Sequence, residues 1–142
     1  MPHLRFEVTE PLAATELQSF AAWVTDRYAE IMDTGTGHVG VTVRDDAHLT
    51  LGRAVPDDPV ALLNADIRAG RTLEKRREFA VAVLEEMADR WGVPTGNAYV
   101  VYTEHPGEDI HLREGALDSW ADGSPSPPGT SGPRRPTPRR RS

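Results

Sequence analysis

The 142-residue chain contains no cysteine. Disulfide frameworks, thiolate metal sites and thiol nucleophiles are therefore excluded. Lysine is nearly absent: Lys75 stands alone against 15 arginines, a bias of composition and not a sign of function. Aromatic residues make up only 6%. No apolar run approaches the length needed to span a bilayer. The opening MPHLRFEVTE has neither the apolar stretch nor the small-residue cleavage site of a signal peptide, so the expected location is cytoplasmic. The hydrophobic content of 38% is ordinary for one globular domain.

The net charge of −6 is unevenly distributed. Residues 121–142 hold five arginines and one aspartate. The remaining 120 residues carry 11 basic and 21 acidic side chains, a net −10. A body this acidic repels nucleic acid, and neither nucleic acid nor membrane is an expected partner. The terminal SPSPPGTSGPRRPTPRRRS is too rich in Pro, Gly, Ser and Arg to offset its ordering entropy. Residues 1–120 are thus read as the domain and 121–142 as a disordered tail. The tail is either a solvated extension or a basic arm.

Hydrophobic periodicity divides the domain into two similar halves. Leu4, Phe6 and Val8 alternate with Arg5 and Glu7 as in a half-buried strand. Leu17, Phe20, Ala21, Val24, Tyr28 and Ile31 recur at helical spacing, predicting a helix over Thr15 to Met32 that ends at Gly35 and Gly37. Val39, Val41 and Val43 predict a second strand. The order then repeats. Ala61, Leu63, Ala65 and Ile67 alternate; Thr72 caps a helix carrying Leu73, Ala80, Val83, Leu84, Met87 and Trp91 on one face; Gly92-Val93-Pro94 stops it; Tyr99 to Thr103 reads as a buried strand. Asp45-Asp46 predicts a hairpin adding His48 to Leu51 as a further strand.

The expected fold class is α/β (more narrowly α+β). Two right-handed β-α-β halves, related by a pseudo-two-fold axis, share a four-stranded mixed sheet with both helices on one face and a small hairpin. The uncovered face of that sheet predicts a homo-oligomer.

Three residues suggest chemistry. Pro2 becomes a secondary amine if Met1 is trimmed, and an α-amino group titrates at about 7.7–8.0, so it can exchange protons near neutrality; many chains also begin Met-Pro by chance. Arg68 and Arg71 flank Ala69-Gly70 where a strand meets a helix N-terminus. They are either a carboxylate clamp or two solvated arginines. In the predicted sheet, strand 3–9 runs antiparallel to strand 61–68, which brings Pro2 near both. His105, Glu108, Asp109 and His111 form a local group that reads as a metal site or, more plainly, as solvated loop residues. Gly35-Thr36-Gly37 lacks the other features of a phosphate loop.

Pro2 opening a strand, IRAGRTLEKRREF (Ile67–Phe79) and GVPTGNAYVVYTEHPG (Gly92–Gly107) together resemble the tautomerase superfamily over residues 2–120, most closely the branch of cis-3-chloroacrylic acid dehalogenase. The resemblance implies a tautomerase/MIF-like fold, a homotrimer, and no metal or organic cofactor. It implies a catalytic N-terminal Pro2 and a small carboxylate substrate held by Arg68 and Arg71. It gives Tyr102 a role in positioning substrate or water, against the alternative of a core tyrosine. Two departures stand out. Tyr28 occupies the place of a helix histidine, and the C-terminal segment is one residue longer, so that Glu114 only approximately matches a water-activating glutamate. The expected activity is cofactor-independent enol–keto tautomerisation of a small 2-oxo acid. Hydration, dehalogenation or decarboxylation by a protonated Pro2, and a non-catalytic trimeric binding protein, are the alternatives.

Overall fold

The computed structural model describes residues 2–118. The tail expected at 121–142 lies outside them. The elements run β1 (His3–Val8), α1 (Ala14–Met32), β2 (Gly40–Arg44), β3 (Ala61–Arg68), α2 (Leu73–Trp91), β4 (Ala98–His105), β5 (His111–Leu112) and β6 (Gly115–Ala116). Four strands form one sheet in the order β2-β1-β3-β4. β1 and β2 are parallel, β3 and β4 are parallel, and the central β1–β3 pair is antiparallel. Each half is thus a strand–helix–strand unit, and the halves meet along the antiparallel seam.

Alternation along the strands decides which face is covered. Leu4, Phe6 and Val8 of β1 and Ala61, Leu63, Ala65 and Ile67 of β3 are buried, whereas His3 and Arg5 are exposed. Both helices lie on the apolar face. Phe20 of α1 packs edge-on against Phe6, with centroids 4.9 Å apart, and lies 4.4 Å from Trp91 of α2. Such ring pairs contribute about 0.5–1.5 kcal/mol each beyond the area they bury. The second helix is capped as predicted: the Thr72 hydroxyl accepts from the Lys75 amide, and Gly92 (φ 69°) closes the C-terminus. The first helix ends at Met32 as predicted, but no glycine caps it. Asp33 takes the left-handed conformation (φ 56°), its amide donating to the Ala29 carbonyl.

Two expectations need correction. Residues 48–51 form no strand. Asp45-Asp46 does not reverse the chain, because the Asp45 carboxylate accepts from the Leu12 amide and the Asp46 and Ala47 amides donate to the Glu10 and Val8 carbonyls. Those bonds carry the segment onward beside the end of β1. The small hairpin occurs later, as β5–β6, with Gly115 at φ 142°. Nor is β4 a buried strand. It alternates, leaving Tyr99 47% and Val101 42% exposed on the outer face.

The helices are also joined by a polar clasp. One Glu16 carboxylate oxygen accepts from the Trp91 indole N–H at 2.9 Å and from Arg90 at 3.1 Å, while Arg90 pairs with Glu86 at 2.6 Å. The Trp91 hydrogen bond, followed by Arg90, holds the Glu16 carboxyl below its ordinary value against the opposing effect of burial. A depressed carboxyl pKa contributes stability above the unfolded value and loses it as pH falls through the folded value. Glu16→Gln should therefore cost about 1 kcal/mol at neutral pH, and the gap from the parent should close in acid. Chemical denaturation at both pH values checks this; a gap unchanged in acid would show that the carboxylate charge contributes nothing.

Candidate active site

The seam between β1 and β3 sets the site. Its register pairs His3 with Asp66 and Leu4 with Ala65, so the next step puts Pro2 level with Ile67, one residue from Arg68. Pro2 is buried and continues the inward row of Leu4, Phe6 and Val8. Its carbonyl accepts from the Gly40 amide of β2 at 3.0 Å. The start of β1 is therefore fixed between the end of β3 and the start of β2.

Arg68 ends β3 and Arg71 lies one residue before the Thr72 cap. Gly70 between them adopts φ 119°, a conformation open to glycine and strained for other residues, and the Ala69 amide donates to the His105 carbonyl at 2.8 Å. This turn folds both guanidinium groups inward. Arg68 is only 6% exposed and Arg71 4%. Arg68 Nη1 donates to the Asp118 carbonyl at 3.1 Å, so the chain beyond β6 crosses the end of β3. Arg71 Nη2 approaches the Asp33 carbonyl at 3.5 Å, joining the turn to the end of α1. Burial pulls the Arg71 guanidinium below its ordinary value, while Tyr28 and Asp33 oppose that shift. Asp33 thus meets Arg71 both through its carbonyl and through its charge, and the Asp118 carbonyl accepts from Arg68. Guanidinium groups beside a helix N-terminus have the chemistry that can attract an anion.

The two tyrosines differ in their bonding. Tyr28 is buried on the inner face of α1, 5.2 Å edge-on from Phe79. Burial raises its pKa well above the ordinary phenol range, and the positive fields of Arg71 and Arg68 only partly offset this. Its phenol therefore remains a neutral hydrogen-bonding group at working pH, within the field of both arginines. The Tyr102 hydroxyl donates to the Arg76 carbonyl of α2 at 2.7 Å. Its pKa is also raised, by burial and then by Tyr28, with Arg76 opposing. Tyr102 thus fastens β4 to the helix that follows the arginines, combining the core reading with a place beside the site.

Glu114 is exposed in the turn of the β5–β6 hairpin. His105 engages Asp66 at 3.0 Å on the outer face of the sheet, where Arg5 also pairs with Asp66 at 2.9 Å. Its partner is therefore a strand aspartate, not Glu108, Asp109 or His111. Among the described residues no group of three or more His, Asp or Glu side chains is placed to hold a metal ion. No helix among them is long and apolar enough to cross a membrane.

One residue at this end of the sheet escaped the sequence reading. Glu104 pairs in register with Ile67 and lies 3.8 Å from Arg76 of α2. Its signal was the alternation of β4: where Tyr102 faces inward, so does Glu104.

No family model and no curated protein matches the sequence. Solved structures do match. N1, a member of the cis-3-chloroacrylic acid dehalogenase family, is 25% identical with a TM-score of 0.68, over 81% of this chain and 84% of that one. Leishmania major MIF2 is 15% identical with a TM-score of 0.70, over 82% and 97%. Pt0534 inactivated by 2-oxo-3-pentynoate is 19% identical with a TM-score of 0.69, over 81% and 94%. The paired strand–helix–strand halves, the β2-β1-β3-β4 sheet and these neighbours together give the chain the tautomerase/MIF-like fold, the fold of the tautomerase superfamily.

Proposed function

We propose that this chain, once Met1 is removed, is a cofactor-independent tautomerase that interconverts enol and keto forms of a small 2-oxo acid. The observation that carries the reading is the pair of buried arginines, Arg68 and Arg71, at the end of the strand antiparallel to the one that Pro2 opens. The arginines would bind the substrate carboxylate and stabilise charge developing on the enolate oxygen. The neutral Pro2 nitrogen would take the proton from the enol oxygen and deliver it to carbon, restoring the free amine. Tyr28, a neutral donor in the field of both arginines, would orient the oxygen, and Tyr102 would hold the adjacent helix. Solvated arginines would not be 94% or more buried, which argues against the plainer reading.

Water addition, with Pro2 acting as an acid, is favoured by one observation: N1 of the dehalogenase family matches at 25% identity. An α-amino group titrating near neutrality supplies both protonation states. Base catalysis fails as pH falls through that value and acid catalysis fails as it rises, so the pH–rate profile assigns each activity to its form.

The exposed Tyr99 and Val101, beside the half-buried Leu62, leave apolar surface on the outer sheet face, and this supports a homo-oligomer. A homotrimer is expected, and light scattering on the eluted protein checks it; a monomer at working concentration rejects it.

Phenylenolpyruvate and 2-hydroxymuconate are suitable assay substrates. Pro2→Ala should abolish ketonisation, and full turnover in that variant would refute the proposed base. Arg71→Ala should raise KM, lower kcat and reduce kcat/KM by about 10- to 100-fold, as expected for losing a charge-assisted bond of about 1.5–3 kcal/mol. Unchanged kinetics would remove Arg71 from the site. Treatment with 2-oxo-3-pentynoate should add one reagent mass to the N-terminal peptide beginning at Pro2. Retained Met1 in the intact mass would contradict the reading directly.

A further inference from the structure

We propose that Asp33 is a specificity-determining residue that holds this site to small acids carrying one negative charge and turns dicarboxylates away; the proposal rests on the Pro2–arginine site described above. Two helix ends of opposite polarity meet at this end of the sheet. α1 finishes at Met32, before β2, and α2 starts at Leu73, after β3. The registers of β1 with β2 and with β3 bring both ends to the Pro2 side. The N-terminus of α2, with Arg68 and Arg71 before it, attracts an anion. The C-terminus of α1 carries the opposite partial charge. It lies directly beside Arg71, whose Nη2 approaches the carbonyl of Asp33, the residue that closes α1, at 3.5 Å.

Asp33 adds a full negative charge to that helix end. It is exposed and adopts φ 56°. A carboxylate there opposes the macrodipole of its own helix, and the last turn of α1 has no basic residue to compensate. Asparagine enters the left-handed region as readily and brings no charge. Local helix chemistry therefore gives no reason for the charge. What lies opposite does: burial disfavours the Arg71 cation, and Tyr28 and Asp33 support it.

A substrate carboxylate at Arg71 shares that cation with Asp33. One carboxylate gains from two guanidinium groups and the α2 terminus, all nearer to it than the competing charge. A second carboxylate meets a different balance. The next arginine along the chain, Arg76 of α2, is already paired with Glu104 at 3.8 Å. A four-carbon diacid held at Arg71 keeps its far carboxylate near Asp33 on the scale of the screening length, about 8 Å at physiological ionic strength. Its repulsion by Asp33 and by the α1 terminus is then uncompensated.

The test uses calorimetry on the full chain with Met1 removed. It compares butanoate with succinate, acids of equal length with one and two charges at neutral pH. The parent should bind butanoate at least about tenfold more tightly. Asp33→Asn keeps the carbonyl, the size and the backbone conformation, and removes the charge. It should tighten succinate by about tenfold and butanoate by about threefold. In ketonisation, kcat/KM for 2-hydroxymuconate should rise relative to phenylenolpyruvate. Salt at 1 M, where the screening length is about 3 Å, should shrink the difference between parent and variant. A structural defect would shift both acids alike and ignore salt. A butanoate preference unchanged within about twofold in Asp33→Asn overturns the proposal. So does a parent that binds succinate as tightly as butanoate, or binds neither. Failure of the Pro2 reading looks different: the acids bind with the stated preference, but 2-oxo-3-pentynoate leaves the N-terminal peptide unlabelled.

Discussion

The antiparallel pairing of β1 with β3 is the constraint on which the site depends. A parallel arrangement would place the start of one strand beside the start of the other, with Pro2 near Ala61 and far from both arginines. Antiparallel pairing instead sets the first described residues against the last residues of β3. The turn after β3 then has to direct two guanidinium groups inward within three residues, which the glycine at φ 119° permits. A buried cation pair is costly to desolvate. Here the cost is met by backbone carbonyls of Asp33 and Asp118, contributed by the end of α1 and the segment after β6. Fold and site are thus coupled: the same contacts that satisfy the arginines hold three parts of the chain at one end of the sheet.

Much of this was legible in the sequence because the hydrophobic periods are clean. Leu4, Phe6 and Val8 fixed the inward face of β1, and Phe20, Val24, Tyr28 and Ile31 fixed that of α1. Each is buried as the spacing required. Once two strand–helix–strand units were recognised, the antiparallel seam and the placement of Pro2 relative to Arg68 followed from topology. The failures have local causes. Asp45-Asp46 has turn composition, yet its carboxylate and amides bond to residues 8–12, long-range partners that no window around residues 45–51 contains. The end of α1 was assigned to glycine on propensity, whereas Asp33 adopts the left-handed conformation and places its carbonyl beside Arg71.

Glu104 was missed for a different reason. Distance along the chain singles out Glu114, whereas the period of two sets which face Glu104 takes. Tyr102 was singled out in the same strand, and the residue two positions on must share its face. The positions that matter at the end of a sheet are those in register across strands, not those near one another in sequence. Ile67 shows the same point. It bears no chemistry, but as the middle of the row it sets the distance between a nitrogen on one side and a carboxylate on the other.

The internal repeat explains why only one end of the sheet is chemically equipped. The halves offer two equivalent ends, since β1 and β3 run antiparallel and each is followed by a 19-residue helix. The seam extends one step past the paired residues at each end, with Pro2 level with Ile67 at one and Thr9 level with Val60 at the other. At the end where Val60 stands, the Thr9 amide donates to the Val60 carbonyl and the Thr9 hydroxyl accepts from the Val60 amide, each at 3.0 Å. Backbone and hydroxyl close that end, and Val60 is 2% exposed. At the other end Pro2 and Ile67 have no hydroxyl to make the same closure. The seam is thus closed by backbone and hydroxyl at one end, and at the other it carries a proline with two buried arginines beside it.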